Sequence, residues 1–409
     1  MELPLGDGTI EVTLPDCDAT VAEAPGGSPV DVRAAAESAM DGPHGPSLGD
    51  RADPDDEIAI VVTDITRDAP DDVLLDLFLE ELRAAGVDRQ QVTVIIGLGL
   101  HRPMTDDELH AMLGEKADLA VNHDPDAVVE VGTVDGVPIA VHPVVDDADL
   151  VLSTGVVEPH QYAGFSGGAK TVVIGAGSEE FIRYTHGPEM LSQDGVRLGR
   201  IDSNPFREAV DRAGDLAGPD FCLNLTKGPT GILDVAAGDP RAVVSDLAET
   251  AREALSVPVE MEYDAVVAGV GGPKDANLYQ ASRAATYVAL GDRNPLRSEG
   301  RIVIPAELSE GAGQGTGEQR FYQRLSEASD AETLYEAMKE GYDPGAQRAF
   351  VVAQVLQEFG VFVTDSETPA VVGECLMHAE PTVEDAIAPE SDVLVLPDAL
   401  NTLLVDGDR

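Results

Sequence analysis

The sequence predicts an α/β protein made of two doubly wound, Rossmann-like domains. Short runs rich in Val and Ile alternate with stretches rich in Ala, Leu and Glu, which is typical of a parallel sheet flanked by helices. The length of 409 residues is more than one domain usually holds, and the alternation restarts after residue 256. We therefore expect one domain over residues 1–256 and a second over 257–409, whose last residues could pack back on the first.

The first domain opens with a stretch rich in Asp, Ala, Gly and Pro, residues 17–56, for which we expect long loops. Residues 58–63 (IAIVVT) are a short apolar run bounded by acids, which predicts a buried parallel strand. Apolar residues at helical spacing over 70–85 predict a helix that Gly86 ends. Further expected elements are strands at 92–96, 137–141 and 150–153 and a helix opened by a capping box of Thr105 and Glu108.

The second domain repeats the same alternation. A helix over residues 241–255 ends the first domain, and residues 257–262 (VPVEME) are expected to link the two. The other expected elements are a strand at 264–270 that ends in Gly-Gly-Pro, a helical region at 281–290, and strands at 301–304, 361–365 and 392–396.

The charge of the chain is extreme, with 76 acidic residues against 26 basic ones and a formal net charge of −50. Such a surface repels nucleic acid and anionic membranes. It also repels itself in dilute buffer, whereas in molar salt the Debye length falls to about 3 Å and screens the repulsion. The acids are spread along the whole chain rather than gathered in a tail, so we interpret them as a halophilic adaptation to a salt-rich cytoplasm.

Neither a disulfide scaffold nor a membrane span is indicated. The cysteines Cys17, Cys222 and Cys375 lie far apart and form no C-x-x-C pair, which also argues against a cysteine-based zinc site. The N-terminus has no basic region followed by an apolar run, and no stretch approaches the roughly 18 apolar residues of a membrane helix. We expect a soluble, cytoplasmic protein.

Charged, titratable or glycine residues follow four of the predicted strands. They are D-I-T-R at 64–67, G-L-G-L-H-R at 97–102, E-P-H at 158–160 and G-G-P-K at 271–274. In open α/β sheets, ligands bind beyond the carboxyl ends of the strands, and packing alone does not explain this coincidence. The sequence therefore predicts a binding or catalytic site at these strand ends.

The segment from Glu158 to His186 holds two histidines, one lysine and five glycines. Glycines let the backbone approach a ligand and point N–H groups at phosphate. Residues 164–171 nearly match a P-loop, but Ala169 replaces its second glycine and only a short apolar run follows. Two explanations stay open, a phosphate cradle or tight turns without a ligand, for Gly167, Gly168, Gly175 and Gly177.

Of the eight histidines, His101, His160 and His186 stand out because each lies within a few residues of glycine; His44 also has glycine neighbours, but no predicted strand precedes it. His101 and His160 follow predicted strands, and Lys170 falls between His160 and His186. Imidazole serves both as a metal ligand and as an acid or base near neutral pH. The spacing alone leaves open a metal site, an acid/base pair and ordinary surface histidines.

The motifs around these residues resemble those of the nickel-pincer lactate racemase family. The resemblance runs from about Asp55 to the C-terminus and rests on D-I-T-R at 64–67, G-L-G-L-H-R-P-M-T at 97–105, E-P-H-Q-Y-A-G-F-S-G-G-A-K at 158–170, His186 beyond it, and N-L-Y-Q at 277–280. It implies a 2-hydroxyacid racemase or epimerase, an isomerase, with its active site in the cleft between the two domains.

The resemblance also implies a covalent cofactor on Lys170, the nickel-pincer nucleotide (nickel pyridinium-3,5-bisthiocarboxylic acid mononucleotide). In the family, a lysine at this position holds the cofactor through a thioamide, and His186 would supply the fourth nickel ligand. Square-planar nickel with soft sulfur donors is chemically reasonable. Asp64, Gly167 and Gly168 are further expected contacts of the cofactor, and the alternative for Lys170 is a lysine that binds phosphate.

By the same resemblance, His101 and His160 are the acid/base pair. Racemisation requires removal of the hydroxyl proton while a hydride leaves the α-carbon for the cofactor, and the hydride then returns to the other face of a planar 2-ketoacid. The two enantiomers present the hydroxyl in two directions, so two bases that titrate near the working pH are needed.

Arg67 resembles the carboxylate-binding arginine of the family, because a guanidinium can hold a carboxylate with two hydrogen bonds. The alternative for Arg67 is a surface salt bridge. Tyr279, Gln280 and Arg283 are expected to bind the substrate from the second domain. The family has a lysine where this chain has Arg283, so the candidate substrates extend from lactate to bulkier, dicarboxylic and sugar-like hydroxyacids.

Two other functions stay open on the sequence alone. One is a three-histidine zinc hydrolase, which predicts bound zinc and an unmodified Lys170. The other is a non-catalytic protein that binds or carries the nickel cofactor. The expected partners are a small hydroxyacid and the accessory proteins that build the cofactor, with no nucleic acid and no membrane, and no oligomeric state is indicated.

Overall fold

The computed structural model describes residues 1–67, 69–342 and 345–407 of the chain. These residues form two compact units, each of which is discontinuous in sequence. The first unit comprises Gly26–His186 and Arg200–Ala254, and the second comprises Met1–Pro25, Gly187–Gly199 and the chain from Leu255 onward. Both are α/β units, which confirms the predicted fold class. The expected domain boundary at residue 256 stays a prediction.

Strands and helices alternate along most of the chain. The strands are β1 (Glu2–Leu5), β2 (Gly8–Glu11), β3 (Asp18–Val21), β4 (Ile58–Thr63), β5 (Val92–Gly97), β6 (Ala120–Asn122), β7 (Val129–Val134), β8 (Val137–Val141), β9 (Leu150–Val156), β10 (Pro159–His160), β11 (Gly164–Phe165), β12 (Phe221–Gly228), β13 (Gly231–Gly238), β14 (Ser256–Val259), β15 (Tyr263–Ala268), β16 (Leu296–Pro305), β17 (Gly360–Thr364), β18 (His378–Glu380), β19 (Asp392–Leu396) and β20 (Leu403–Asp406).

The helices are α1 (Val32–Asp41), α2 (Leu48–Arg51), α3 (Asp71–Ala85), α4 (Asp106–Leu113), α5 (Pro143–Asp147), α6 (Ala169–Val173), α7 (Glu179–Thr185), α8 (Pro188–Leu191), α9 (Pro205–Ala217), α10 (Pro240–Leu255), α11 (Leu278–Ala281), α12 (Arg283–Ala289), α13 (Thr316–Ser326), α14 (Ala331–Glu340), α15 (Gln347–Leu356), α16 (Pro369–Glu374) and α17 (Val383–Ala386). Short 3-10 helices cover Ile65–Arg67, Arg89–Gln91, Gly114–Leu119 and Ala399–Asn401. Among the described residues, no helix has the length and apolar character needed to cross a membrane.

Six strands form the main sheet of the first unit, in the spatial order β13-β12-β9-β4-β5-β6. All neighbouring pairs are parallel except β12 with β13. Every residue from Ile58 to Val62 in β4 is buried, as expected for a central strand covered on both faces. Because β4 lies between β9 and β5, the loops that follow these three parallel strands meet at one edge of the sheet.

The strands predicted at residues 58–63, 92–96 and 150–153 are β4, β5 and β9, which confirms this part of the prediction. The strand predicted at 137–141 exists as β8, but it pairs with β7 in an antiparallel hairpin outside the main sheet. The two residues between β7 and β8 are Asp135 and Gly136, and both have positive φ. An Asp-Gly pair at such positions makes the tight turn that joins antiparallel strands.

The predicted helix at residues 70–85 is α3, which begins at Asp71 and ends where Gly86 adopts the left-handed conformation with φ of 97°. Its buried face packs into the core beneath the sheet and consists of Leu74, Leu75, Leu77, Phe78 and Leu82. The capping box at Thr105 and Glu108 opens α4 as expected.

The main sheet of the second unit also has six strands, in the order β18-β17-β16-β15-β19-β3, and all of its pairs are parallel. Its core includes Val267, Val303, Val393 and Val395. The strands predicted at 264–270, 301–304, 361–365 and 392–396 are β15, β16, β17 and β19, and the helical region at 281–290 is α12.

Two expectations about connecting segments need correction. Residues 17–56 contain the strand β3 and the helices α1 and α2 rather than only long loops. The signal for α1 is Asp31, whose side chain caps the helix by accepting from the backbone N–H of Ala34. Part of the expected link at 257–262 belongs to β14, which pairs with β20 and buries Val257 and Val259 at alternate positions.

Candidate active site

The loop after β4 is bonded to the loops on either side of it. His101, in the β5 loop, places Nδ1 at 2.6 Å from Oδ2 of Asp64 in the β4 loop. Arg67, also in the β4 loop, donates from Nη1 to Oε1 of Glu158 in the β9 loop at 2.7 Å. The strand order thus brings together Asp64, Arg67 and His101, which the sequence predicted as site residues. Their roles in binding or catalysis stay predictions.

Asp64 fixes the orientation of His101. The Asp64 side chain is only 7% exposed, whereas that of His101 is 59% exposed. Burial raises the pKa of Asp64, but hydrogen bonds from His101 and Thr66 outweigh it and hold the pKa below its usual value. An ionised carboxylate only accepts hydrogen bonds, so Nδ1 of His101 carries a proton. In the neutral ring the lone pair then lies on Nε2.

His160 has the opposite arrangement. It lies in β10, which pairs with β11 at Gly164. Its Nδ1 accepts from the backbone N–H groups of Tyr162 and Ala163, at 3.2 and 3.1 Å. In the neutral ring the proton is therefore on Nε2. Nε2 of His101 is therefore a hydrogen-bond acceptor, whereas Nε2 of His160 is a hydrogen-bond donor.

Lys170 lies in the short helix α6, directly after the turn of Gly167 and Gly168. Both glycines have positive φ, and the N–H of Gly168 donates to Oδ1 of Asn224 at 2.8 Å. Burial lowers the pKa of Lys170 to about 7, and the positive charges of Arg67 and Arg207 act in the same direction. A large fraction of Lys170 is therefore an uncharged, nucleophilic amine near neutral pH.

His186 presents one nitrogen in the form that a metal requires. Its Nδ1 lies 3.0 Å from the carbonyl oxygen of Ile182, which only accepts, so Nδ1 carries the proton. Burial and, after it, the positive charge of Lys170 lower the pKa of His186 to about 3, so the ring is neutral. The lone pair on Nε2 can then bind a metal. An uncharged amine at Lys170 and a neutral imidazole at His186 fit the implied nickel-pincer nucleotide.

Two aromatic side chains pack His160 and His186. The ring of Phe206 lies 5.1 Å from that of His186 and 6.1 Å from that of His160, between ring centroids. The ring of Tyr162 lies 5.7 Å from each of the two imidazoles. Phe206 is fully buried and Tyr162 nearly so. The structure thus brings His160 and His186 against one aromatic cluster.

Close packing of the backbone accounts for the glycines of this segment. A Cβ atom at Gly167 would lie 2.6 Å from Val157 Cγ2, and one at Gly168 would lie 2.7 Å from Val244 Cγ2. A Cβ atom at Gly175 or Gly177 would overlap a backbone carbonyl oxygen of α6. These contacts favour the tight-turn explanation, and a role in binding phosphate stays a prediction.

The predicted substrate-binding residues of the second unit lie on α11 and α12. Arg348 donates from Nη1 to the carbonyl oxygen of Tyr279 at 2.7 Å and stacks on the Tyr279 ring at 3.8 Å. Arg283 donates from Nη2 to the hydroxyl of Tyr287 at 3.0 Å. Gln280 follows Tyr279 in α11. The roles of Tyr279, Gln280 and Arg283 in binding substrate stay predictions.

Sequence reasoning missed several residues that support the site. Glu158 lay within a recognised motif but was not identified as the partner of Arg67. Asn204, Phe206 and Arg207 stood outside every motif. The one available signal was the Asn-Pro pair at 204–205, which marks a helix start but says nothing about what that helix contacts.

The three-histidine zinc site finds no support in the described part of the chain. Within it, no three His, Cys, Asp or Glu side chains converge closely enough to hold a metal ion. His101 is instead bonded to Asp64, while His160 and His186 share the aromatic cluster.

The fold and sequence are similar to those of known racemases. The structure of the lactate racemase apoprotein from Thermoanaerobacterium thermosaccharolyticum matches with a TM-score of 0.87 at 25% identity, over 98% of this chain and 99% of that one. A protein of known structure from Thermotoga maritima shares the fold, with a TM-score of 0.63 at 18% identity, over 84% of this chain and 92% of that one.

Two curated lactate racemases are similar over nearly the whole chain. The one from Lactiplantibacillus plantarum is 28% identical, over 90% of both chains. The one from Thermoanaerobacterium thermosaccharolyticum is 29% identical, over 87% of this chain and 86% of that one.

The family models of the lactate racemase N-terminal and C-terminal domains match residues 5–199 and 259–407. These matches define the protein as a racemase, an enzyme of the isomerase class. The chain belongs to the lactate racemase family.

Proposed function

We propose that the protein racemises lactate or a related 2-hydroxyacid with a nickel-pincer nucleotide that Lys170 holds covalently and His186 holds through nickel. The relatives named lactate racemase support the substrate class. The observation that carries the proposal is the pair of opposite tautomers at His101 and His160, whose loops flank the β4 loop. Racemisation needs both a proton acceptor and a proton donor around one hydroxyl group.

Each residue of the first unit has a defined task in this proposal. Arg67 binds the substrate carboxylate, which takes the place of Glu158 or shares the guanidinium with it. Nε2 of His101 accepts the hydroxyl proton of one enantiomer, and the carboxylate of Asp64 stabilises the imidazolium that forms. When bound, the nickel-pincer nucleotide supplies a reversible acceptor for the α-hydrogen and its two electrons.

The second half of the reaction uses His160. The planar 2-ketoacid turns within the site while its carboxylate stays on Arg67. Nε2–H of His160 then gives its proton to the ketone oxygen while the α-hydrogen returns with its two electrons to the opposite face of the α-carbon, and the opposite enantiomer results. The proton that His101 took up passes through water to His160, so both rings are neutral again. The reverse reaction exchanges the tasks of the two histidines.

The proposal extends to the residues and setting that the sequence suggested. Tyr279, Gln280 and Arg283 bind the substrate, and Asp64, Gly167 and Gly168 contact the cofactor. Accessory proteins build and deliver that cofactor. The net charge of −50 supports a protein that works in a salt-rich cytoplasm.

The decisive test is the variant Lys170→Ala, produced together with the cofactor-building enzymes and assayed in molar salt. For the unaltered protein we expect an added mass on Lys170, bound nickel and loss of optical purity from single enantiomers of a 2-hydroxyacid. Lys170→Ala should lose all three, because it has no amine for the thioamide. The matched control is Lys339→Ala, which removes an exposed lysine paired with Glu336.

Racemisation by Lys170→Ala at the unaltered rate would rule out the covalent cofactor. If the nickel adduct forms but lactate, malate, phenyllactate and longer 2-hydroxyacids all keep their optical purity, the substrate part of the proposal is wrong. Sugar-like hydroxyacids and a carrier role would then be tested next.

A further inference from the structure

The first turn of α9 contacts three separate parts of the candidate site. Asn204 caps this helix, and its Oδ1 accepts from the N–H groups of Phe206 and Arg207 at 3.0 and 3.2 Å. The side-chain amide of Asn204 donates to the carbonyl oxygen of Tyr162 at 2.8 Å. Asn204 is completely buried. The turn is therefore bonded to the loop that follows His160.

Arg207 holds the backbone that leads to Lys170. Its guanidinium is 2% exposed and donates to the carbonyl oxygen of Gly167 at 3.3 Å and to that of Phe165 at 3.4 Å. The Nε atom of Arg207 lies 3.2 Å from Oδ1 of Asp211, one helical turn further along α9. A buried charge costs several kcal/mol unless it is paired and hydrogen-bonded, and Arg207 has both kinds of partner. These hydrogen bonds restrain the backbone at the turn of Gly167 and Gly168.

Phe206 restrains the two imidazoles. It meets His186 edge to face, at an interplanar angle of 82°, and meets His160 at 45°. Aromatic pairs in such tilted arrangements attract each other beyond the effect of burial alone. The Phe206 ring is itself fully buried and packs against both imidazoles.

We propose that Phe206 and Arg207 are positioning residues, which together align the cofactor lysine with the nickel ligand and the acid/base histidine. Arg207 sets the glycine turn that presents Lys170, and Phe206 sets the rings of His160 and His186. The two side chains are adjacent on one helical turn, so that turn couples the three groups. This inference rests on the proposed function for the roles of Lys170, His160 and His186.

The first experiment measures acetylation of Lys170 in apoprotein made without the cofactor-building enzymes. A small amine-reactive ester is applied over a range of pH, and modified residues are counted by mass spectrometry, with Lys339 as the internal reference. Arg207→Met is compared with Arg212→Met, which removes an exposed arginine of the same helix that pairs with Asp135. Arg67 and Glu158, which also act on the Lys170 amine, are unchanged in both variants.

Arg207→Met should change the plateau rate of Lys170 acetylation reached at high pH, where the amine is uncharged in both proteins, because the glycine turn that presents the amine relaxes. Arg212→Met should leave the plateau rate unchanged. A plateau rate for Arg207→Met that matches the unaltered protein overturns the role of Arg207, since a merely structural residue would change only stability.

If Arg207→Met does not fold, Arg207→Lys tests the positioning role of Arg207 instead. It keeps the charge but cannot span the two carbonyl groups, so less cofactor should be attached to Lys170 during co-production. Attachment as complete as in the unaltered protein contradicts the inference.

The second experiment tests Phe206→Leu by nuclear magnetic resonance of apoprotein with ¹⁵N-labelled histidine. The signals of His160 and His186 should shift and broaden, while those of His44 and His378 should not. The matched control is Phe78→Leu, which alters a fully buried phenylalanine on the core-facing side of α3 and should lower stability without moving either signal. Unmoved His160 and His186 signals in folded Phe206→Leu overturn the role of Phe206.

The acetylation and nuclear magnetic resonance measurements use apoprotein, so they are independent of whether the nickel adduct forms; only the Arg207→Lys comparison requires the adduct. A failed proposed function would appear as the absence of the adduct on unaltered Lys170. A failed positioning role would appear as unchanged acetylation and histidine signals, whatever the fate of the adduct.

Discussion

At the scale of single residues, hydrogen bonds decide which nitrogen of each imidazole carries a proton. Asp64 holds His101 in the form with a free acceptor at Nε2, and two backbone N–H groups hold His160 in the opposite form. The identity of the neighbouring acceptor or donor therefore matters as much as the histidine itself.

Asp64→Asn is the direct test of this idea. An amide can point its NH₂ group at Nδ1, which favours the wrong tautomer of His101. We expect kcat to fall about 10²- to 10⁴-fold, the usual worth of general acid–base catalysis. KM should change little, because Asp64 does not hold the substrate carboxylate. The chiral assay in molar salt measures both, with the surface variant Asp135→Asn as control, and a kcat close to the unaltered value contradicts the prediction.

Asp71 provides a second test, this time of stability. It is 1% exposed at the start of α3, and its Oδ1 accepts from the hydroxyl of Thr154 at 2.5 Å. Burial raises the pKa of Asp71 to about 6, and the charge of Asp72 also raises it. Between about pH 4 and pH 6 the unfolded chain releases this proton before the folded chain does, so the free energy of unfolding falls as the pH rises through that window.

Asp71→Asn should remove this fall in the free energy of unfolding. We expect the variant to be more stable than the unaltered protein above pH 6, by at most about 3 kcal/mol for a shift of about two pKa units. Below pH 4 the difference should vanish. Denaturation by urea at a series of pH values measures it, and the exposed acid Asp107 supplies the control Asp107→Asn. An equal effect at pH 4 and pH 8 would show that the charge of Asp71 is not responsible.

At the scale of elements, the turn after α6 joins the lysine helix to the His101 loop. The N–H of Gly99 donates to the carbonyl oxygen of Gly175 at 2.8 Å. A Cβ atom at Gly175 would overlap the carbonyl oxygen of Thr171 and lie 3.1 Å from Cα of Gly97. The two loops approach so closely that only glycine fits between them.

Gly175→Ala should therefore destabilise the apoprotein, by roughly 2–3 kcal/mol, a large effect for one substitution. Urea denaturation without cofactor measures it. The matched control is Gly373→Ala in α16, where a Cβ atom would meet nothing within 4 Å. If Gly175→Ala apoprotein is as stable as the unaltered protein yet cannot hold the nucleotide, the phosphate-cradle explanation is favoured instead.

Local patterns predicted the elements but not all of their partners. The run at 58–63 is apolar throughout, so it identified a strand buried on both faces. The pattern at 137–141 identified a strand equally well, yet only the Asp135-Gly136 turn reveals that β8 forms a hairpin. β3 was missed because most of its side chains are exposed and it is held by pairing with the distant β19.

The site was predictable to the extent that it follows strand ends. Asp64, Arg67, His101 and His160 follow neighbouring parallel strands, so topology alone brings their loops to one edge of the sheet. Phe206 and Arg207 do not follow a strand and reach the site by helix packing. Such contacts between segments about forty residues apart leave no periodic trace in a single sequence.

At the scale of the whole molecule, 76 acidic and 26 basic residues make the folded state repel itself. Salt should screen this repulsion more in the compact fold than in the expanded unfolded chain. We expect the free energy of unfolding to rise from about 0.15 M to about 3 M KCl, as measured by urea denaturation. Equal stability across that range would contradict a halophilic adaptation.

The division into two units also limits what a sequence reveals. Met1–Pro25 and Gly187–Gly199 belong to the same unit as the chain from Leu255 onward. The N-terminal segment joins that unit through β3, whose partner β19 lies more than 370 residues away. No local composition marks such a contact, whereas the restart of the α/β pattern after residue 256 was visible at once.

The ion pair between Arg67 and Glu158 has a consequence for how products depart. Arg67 has an internal carboxylate at 2.7 Å, so Glu158 acts as a tethered competitor for any hydroxyacid that Arg67 binds. Under the proposed function, a hydroxyacid that displaces Glu158 exchanges one carboxylate for another, so little ion pairing is gained and we expect short residence times. As a competitor, Glu158 does not distinguish one enantiomer of the hydroxyacid from the other. Under the proposed function, both mirror images are expelled equally well, as an enzyme that works at equilibrium in both directions requires.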